Sequence, residues 1–418
     1  MSAIPDYPKT AGPDYAWAPY EPGAGRPWNL ALAAHLLRRG GFGASWNQLQ
    51  QAVADGPRKT ADRLFQAPAD LAAFDSRMNE LGAGVLVSEA GGSDESAQLW
   101  LHRMQHTPYP LLEKLTLFWH NYFAIAGAQV SKAALMEKHL RLLRKHALGG
   151  FDAMVLDMVR DPATLIAGNS KANRRSKPSV EFSAALLRNT VGAGSFQDDD
   201  VMGVARAFTG SSVLREEFQF RLYDHDDGAK KILSKQGNFS GEEALRILLA
   251  HPGTPRTVVR RMYRWFVSET AAPDEALLAP LANAFAKDFD IQKLASTMLR
   301  SNLFFSTAAY RQRVKSPVEF GLGLIAAFDR PVAAAELHRQ FSAIGQRLLE
   351  PPAGGGWPGG LRWLNSFTIA RRGNLAASLV GESKIKSTEL LLQNDISSAL
   401  DPDAPALAVA TSPEFQLA

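Results

Sequence analysis

Residues 151–162 read FDAMVLDMVRDP, and the apolar spacing in this stretch decides the fold class. Its Phe, two Met and two Val residues recur at i, i+3, i+4, i+7 and i+8, which is the spacing of one face of an α-helix. Asp161-Pro162 then starts a further helix, since proline is well tolerated in a first helical turn. Similar spacing recurs along most of the chain. We therefore predict a mainly α, multi-helical globular protein.

Further helices are predicted over 181–191, 198–209, 241–250, 254–268, 274–286 and 290–300. Alternating apolar and polar residues, the signature of a strand, are scarce, and residues 218–223 are the main candidate. Residues 67–94 are rich in Ala and Gly, which favours a loop or a loosely packed helical insert. The run PPAGGGWPGG at 351–360 predicts a loop, because Pro and Gly break helices and central strands. We therefore expect functional loops and little or no β-sheet.

The length of the chain predicts two helical halves. Its 418 residues exceed the roughly 250–300 at which a single core stops growing. We expect an extended N-terminal arm at 1–27, an N-terminal helical half at 28–190 and a C-terminal helical half at 191–399. The C-terminal half carries two loops, HDDG at 225–228 and GWPGG at 356–360. Residues 400–418 form a tail.

The composition excludes several classes of protein. Hydrophobic residues make up 46% and charged residues 21%, which is typical of a folded globular chain. The net charge of +4 is too small to predict nucleic-acid binding, and the absence of cysteine excludes disulfides and thiolate chemistry. We find no transmembrane segment or export signal. The cytoplasm is the default compartment, and a location in the envelope or export stays open because a trimmed signal would look the same.

The segment FRLYDHDDGAKKIL at 220–233 carries the highest density of charge and has two interpretations. In the structural one, Asp226 caps a helix that starts near Ala229. In the functional one, His225 and Asp226 form an acid–base pair or bind a metal, since a neighbouring carboxylate fixes the tautomer of a histidine. Arg221 and Lys230 would then hold an anionic substrate.

Two other segments are candidates for a site. His120 follows an apolar helical face, so it is either a core histidine or a site residue that Asn121 orients. The GWPGG loop either turns a packed corner or forms a platform for a sugar or peptide from Trp357, Trp363 and Asn365; packing is favoured. The arginines at 256, 260, 261 and 264 predict a solvated helix face. No residue is assigned as a metal ligand, and the cofactor and metal dependence stay open. Signatures of zinc peptidases, nucleotide-binding loops and serine hydrolases are missing.

Short motifs over more than 300 residues together resemble one family. They are His35-Leu36-Leu37-Arg38-Arg39, Phe118-Trp119-His120-Asn121, Asp161-Pro162, His225-Asp226 with Gly228 and Lys230, Leu248-Leu249-Ala250-His251-Pro252, Lys315-Ser316-Pro317 with Glu319, and Gly356-Trp357 with Gly359-Gly360. The chain resembles the bacterial family called Domain of Unknown Function 1800, whose activity is not established. The resemblance implies a fold and a site, and it implies a sulfatase-like partner because genes of the two families often lie together.

The chain departs from the family pattern at two places. Members usually carry Asn-Glu-Asn-aromatic-Ala-Arg-Glu where this chain has SVEFSAA at 179–185. The second histidine that follows the Trp-His-Asn motif in the family is Tyr122 here. If these polar groups are catalytic in relatives, the resemblance implies that this member has lost the activity.

These observations lead to one predicted cleft and two functions. We expect the cleft to gather catalytic residues and substrate-binding residues, namely His120, Asn121, His225 and Asp226 with Arg221, Lys230, Trp357 and Trp363. The leading prediction is a binding or assembly module that acts with the sulfatase-like partner on an envelope or extracellular polymer. The alternative is a hydrolase that uses the His-Asp pair on an anionic substrate, so whether the protein is an enzyme stays open.

Overall fold

The computed structural model describes residues 4–8, 10–87, 93–270, 272–352, 355–380 and 406–418. Parts of several predicted segments lie outside these residues. They are residues 1–3 and 9 of the arm, 88–92 of the insert, 271 and 381–399 of the C-terminal half, 353–354 of the loop at 351–360 and 400–405 of the tail.

Helices dominate the described residues, which confirms the mainly α prediction. The first ten are α1 (Pro13–Trp17), α2 (Leu30–Gly40), α3 (Trp46–Phe65), α4 (Leu71–Val87), α5 (Ser93–His106), α6 (Pro110–Phe123), α7 (Gly127–Val130), α8 (Ala133–His146), α9 (Phe151–Met158) and α10 (Pro162–Ala167). The next ten are α11 (Val180–Asn189), α12 (Asp198–Ala207), α13 (Gly241–Ala250), α14 (Gly253–Phe266), α15 (Glu275–Phe285), α16 (Ile291–Leu299), α17 (Pro317–Phe328), α18 (Ala334–Ala343), α19 (Ser366–Val380) and α20 (Ala406–Thr411).

The β-structure in the described residues consists of two antiparallel hairpins. Strand β1 (Ser211–Leu214) pairs with β2 (Glu217–Phe220), and β3 (Lys230–Ile232) pairs with β4 (Lys235–Gly237). The strand predicted at 218–223 is therefore partly right, because β2 ends at Phe220 and a 3-10 turn follows at Leu222–Asp224. The hairpins agree with the expectation of little β-sheet.

Local sequence signals explain where several helices begin. The Ser45 hydroxyl accepts a hydrogen bond from the Gln48 amide, and the Gln48 side chain binds the Ser45 amide in return, which makes a capping box for α3. The Asp161 carboxylate accepts from the Thr164 amide at 2.9 Å and caps α10. These contacts satisfy amide groups that the first turn of a helix leaves without partners.

The structure places a helix in the N-terminal arm, which the sequence predicts to be extended. It also places one in the insert, which the sequence predicts to be a loop or a loosely packed helix. Helix α1 lies within the arm at 1–27, and the Tyr20 amide donates to the Arg300 carbonyl at 2.8 Å, which docks the arm onto the body. Helix α4 lies within the insert at 67–94, where Phe74 and Met78 are buried. The helical alternative for the insert is the one observed.

Most of the buried apolar side chains in the described residues belong to one hydrophobic cluster. It includes residues on both sides of the division predicted at residue 190, among them Trp119 and Phe151 before it and Phe266 and Phe320 after it. The division into two helical halves stays a prediction about chain organisation. For the site, the useful consequence is that α6 and α14 pack through the same core, since the Phe118 and Trp265 rings lie 5.5 Å apart.

A buried ionic network crosses this core. The Glu319 carboxylate on α17 pairs with Lys114 Nζ on α6 and lies 3.2 Å from Arg313 Nη1. Arg313 Nε in turn lies 3.1 Å from Glu269 Oε1. Although burial alone raises the pKa of Glu319, Arg313 and Lys114 lower it well below its ordinary value. Burial lowers the pKa of Lys114 to about 8.

We expect Glu319→Gln to lower the free energy of unfolding by about 3–5 kcal/mol, because it leaves buried Lys114 without its carboxylate and Arg313 with Glu269 alone. Glu242→Gln is the matched control, since Glu242 pairs with Arg160 on the surface, where a pair is worth about 1 kcal/mol or less. Urea denaturation of both variants measures the difference. Equal losses of stability would contradict a central role for the network.

Candidate functional site

The C-terminal part of α6 and the neighbouring face of α14 frame the candidate site. Arg261 Nη1 donates to the Tyr122 carbonyl at 3.1 Å, and the guanidinium lies 4.2 Å from the centre of the Tyr122 ring. Helix α6 ends at Phe123. The next residue, Ala124, has a left-handed conformation, so its amide donates a hydrogen bond to the His120 carbonyl. The two helices are therefore fixed side by side where their polar side chains emerge.

A cavity of about 250 Å³ opens between these helices and the segment at 355–363. We call it the arginine cleft. Its lining combines five aromatic side chains, three arginines and one carboxylate, which are Phe118, Tyr122, Trp265, Trp357 and Trp363, then Arg261, Arg264 and Arg313, and Glu269. Asn121, Ser316 and Gln346 add polar groups. An aromatic wall with a few directed polar groups is typical of a small-molecule site.

The GWPGG loop is held against the cleft by two hydrogen bonds. The Trp357 amide donates to Asn121 Oδ1 at 2.6 Å, and the Gly360 amide donates to Glu269 Oε2 at 2.9 Å. Gly356 has φ +74°, and a Cβ there would lie 2.2 Å from Asn121 Oδ1. A glycine is therefore required for the loop to approach α6 this closely.

The structure separates the three residues of the proposed aromatic platform. Trp357 and Trp363 both line the arginine cleft, although each is largely buried. The Asn365 side chain instead accepts from the Thr368 amide at 2.9 Å, at the start of α19. Packing accounts for Asn365, whereas the two tryptophans combine packing with a position on the cleft wall.

Two of the three cleft arginines keep an unneutralised charge. Arg313 is paired with Glu269 and Glu319. The partners of Arg261 are uncharged, namely the Tyr122 carbonyl and an amide oxygen of α11. Arg264 is exposed, and in the part of the chain that the structure describes it has no hydrogen-bonding or ion-pairing partner.

The predicted solvated face of α14 holds for Arg256, Arg260 and Arg264, which are exposed, whereas Arg261 is half-buried. Arg260 pairs with Glu275 on the surface. Arg261 and Arg264 also line the cleft, because they lie three residues apart on the side of α14 that carries Trp265. A surface face and a cavity wall look the same in the sequence of a single helix.

A second cavity of about 320 Å³ shares Tyr122, Arg261 and Gly355 with the arginine cleft. We call it the apolar pocket. Most of its remaining lining is aliphatic or aromatic and comes from the region after α6 and from α9, α10 and α11, including Phe123, Ile125, Val155, Met158, Val159, Ala167, Phe182, Ala185 and Leu186. Its other charged side chains are Glu181 and Arg188.

Both departures from the family pattern lie at this pocket. Glu181, Phe182 and Ala185 of the altered segment form part of its wall, and Tyr122 lies on the wall shared with the arginine cleft. The Tyr122 hydroxyl donates to the Asn189 carbonyl at 2.6 Å, and burial raises its pKa to about 12. The phenol is therefore neutral at physiological pH and engaged in a structural hydrogen bond.

His120 lies behind the cleft wall. Its ring packs 5.5 Å from the Trp357 ring and 6.4 Å from the ring of His139 on α8. Burial lowers the pKa of His120 to about 3, so the imidazole is neutral. His139 Nδ1 lies 2.9 Å from Asp161 Oδ2, a pair that sequence reasoning missed because α8 and α10 meet only in the fold.

The charged segment at 220–233 is engaged in internal contacts. Asp226 makes a bidentate pair with Arg206, at 2.7 and 3.0 Å, and accepts from the Gly228 amide at 2.8 Å. His225 Nδ1 donates to the Thr209 carbonyl at 2.7 Å. The predicted helix near residue 229 is wrong, because the Asp226 side chain closes a turn that leads into strand β3.

The remaining charged residues of that segment complete the same local cluster. Lys230 Nζ lies 3.0 Å from both the Gly228 carbonyl and Asn238 Oδ1. Arg221 is exposed, with Nη1 3.8 Å from the Asp224 carboxylate.

The expected single cleft is thus divided into two groups in the described residues. Asn121, Trp357 and Trp363 line the arginine cleft, with His120 behind them. The second group lines neither cavity and consists of Arg221, His225, Asp226 and Lys230. The catalytic and binding roles of these residues stay predictions. Within the described residues, no three or more His, Cys, Asp or Glu side chains cluster so that they could hold a metal.

We expect Asp226→Asn to lower the free energy of unfolding by about 1–2 kcal/mol at pH 7, since the hydrogen bonds from Arg206 lower the pKa of Asp226 to about 2. The ordinary pKa of an unfolded aspartate is about 3.9. The contribution is therefore fully present above about pH 4 and is lost as the pH falls towards about 2. Asp224→Asn is the matched control, and denaturation curves across this pH range that show no difference would contradict a structural role.

The family model described as "Protein of unknown function (DUF1800)" matches residues 35–416. Searches of curated proteins and of solved structures find no match to the chain. Of the helices that the structure describes, none has the length and apolar character needed to cross a membrane. Because the match covers most of the sequence, the chain belongs to the DUF1800 family.

Proposed function

We propose that the protein is a binding module that holds an anionic group of a polymer, such as a sulfate or carboxylate on a sugar, in the arginine cleft. The observation that carries this proposal is the exposed Arg264 guanidinium, which has no partner among the described residues and lines the same cleft as Arg261. Guanidinium groups bind planar or tetrahedral oxyanions through paired hydrogen bonds.

The aromatic wall supports a sugar as the carrier of the anion. Trp357 and Trp363 line the same cleft as the arginines, and the face of an indole supplies apolar area at low entropic cost. The Asn121 side chain holds this wall in place through the Trp357 amide. A rigid wall reduces the entropy lost on binding.

We further propose that the module acts with the sulfatase-like partner that the resemblance implies, on an envelope or extracellular polymer. A sulfate ester is the group that such a partner would recognise, and a cleft with two unneutralised arginines suits the same group. In this arrangement the module retains the polymer while the partner acts on it.

The contacts of the His-Asp pair give less support to the hydrolase alternative. Asp226 is neutralised by Arg206, and His225 Nδ1 is occupied by the Thr209 carbonyl. In the arginine cleft, the Glu269 carboxylate is occupied by Arg313 and by the Gly360 amide. A general base needs a carboxylate or imidazole that can accept a proton from a ligand.

We expect Arg261→Gln and Arg264→Gln each to weaken binding of a sulfated disaccharide at least tenfold, since a hydrogen bond to a charged group is worth about 1.5–3 kcal/mol. Isothermal titration calorimetry measures this loss, with inorganic sulfate and the unsulfated disaccharide as reference ligands. Arg260→Gln is the matched control on the same helix, because Arg260 pairs with Glu275 outside the cleft. Equal affinity of the three variants, or equal binding of both disaccharides, would contradict the proposal.

The partner is tested separately by affinity purification of the tagged protein from its native host. We expect a sulfatase-like protein to be retained with the unaltered chain and with Arg260→Gln. Its absence under mild extraction would remove the partner from the proposal and leave ligand binding in place.

A further inference from the structure

We propose that the apolar pocket holds an alkyl or acyl chain attached to the anion, so that the ligand of this protein is an amphipathic anion. This inference rests on the proposed function, because it assigns the anionic head to Arg261 and its neighbours. It adds a second binding site with a different chemistry, and it names the class of ligand that would occupy both.

The two cavities meet at the residue that would bind the head. Tyr122, Arg261 and Gly355 line both the arginine cleft and the apolar pocket. The position of the Arg261 guanidinium is fixed by the Tyr122 carbonyl and ring on one side and by Asn189 Oδ1 on the other. An anion bound there can project a substituent into either cavity.

The lining of the pocket suits a hydrocarbon chain. Val155 and Met158 on α9, Val159 directly after it, and Phe182 and Leu186 on α11 all line it. The volume, about 320 Å³, lies at the lower end of the roughly 300–1,000 Å³ that is typical of ligand pockets. Apolar cavities bind apolar ligands in preference to water, which needs several polar partners.

The charges at the pocket favour an anion over a cation. Arg188 and Arg261 oppose the single carboxylate of Glu181. Arg188 makes no ion pair with any residue that the structure describes, and Glu181 is exposed, where water screens its charge. The pocket therefore combines an apolar interior with a net positive charge, as an amphipathic anion requires.

The first experiment measures affinity for butyl, hexyl, octyl and decyl sulfate below their micellar concentrations by isothermal titration calorimetry. We expect affinity to rise about fourfold for each methylene that enters the pocket and then to level off when the pocket is full. Octyl glucoside supplies the same chain without the anion and is expected to bind at least tenfold more weakly than octyl sulfate. Equal binding of these two ligands would overturn the assignment of an anionic head.

A variant that fills the apolar pocket tests binding of the alkyl chain separately from binding of the anionic head. Ala185→Leu adds volume to the lining, so we expect it to abolish the dependence on chain length while inorganic sulfate binds as before. Ala184→Leu is the matched control, because Ala184 is the adjacent residue of α11, is likewise half-buried and does not line the pocket. Circular dichroism confirms that both variants fold, and Ala167→Leu, which fills the pocket from α10, provides a second test.

The outcomes distinguish this inference from the proposed function. If inorganic sulfate and the sulfated disaccharide bind but chain length has no effect, the inference fails and the proposed function stands. If no sulfate binds at all, both fail. An acylated sulfated disaccharide identifies the source of the chain: binding tighter than that of octyl sulfate supports an acylated polymer, whereas weaker binding overturns the polymer as carrier and leaves a free amphiphile.

Discussion

The structure of the site depends on one buried carboxylate, that of Glu319. Its charge is stabilised by Lys114 from α6 and by Arg313; without it Lys114 would be unpaired in the core and Arg313 would keep only Glu269. Arg313 continues the pairing to Glu269, which in turn holds the GWPGG loop through the Gly360 amide. Because unpaired charges are costly in a low-dielectric interior, these elements have one arrangement that satisfies all of them. The arginine cleft forms between the same elements.

The network also decides which charges are available to a ligand. Arg313 and Glu269 line the cleft but neutralise each other, so they contribute shape and rigidity rather than net charge. Arg261 and Arg264, both on α14, line the cleft without a carboxylate partner among the described residues. The net positive charge of the cleft therefore comes from these two side chains of α14. Under the proposed function, they bind the anion and the aromatic side chains of the lining contact its carrier.

The sequence predicts the fold better than it predicts the site. Apolar spacing locates most of the helices, and the capping box at Ser45 is legible because its partners are three residues apart. The helix cap is one of two interpretations of Asp226, because aspartates before a glycine are equally typical of a cap and of a turn. The sequence predicts a solvated face for Arg261 and Arg264 but not the cleft that they line, because that cleft depends on how α14 packs against α6. The His139–Asp161 pair depends on contacts that no local pattern encodes.

The lining of the two cavities explains why binding is better supported than catalysis. No histidine lines either cavity in the described part of the chain, and the Tyr122 hydroxyl is held neutral by burial and engaged by the Asn189 carbonyl. Where the resemblance implies a glutamate, this chain places Ala185 in the wall of the apolar pocket. An alanine cannot accept a proton, and it carries no charge that would repel an anion. Under the proposed function, Ala185 therefore suits a negatively charged, partly apolar ligand better than a carboxylate would.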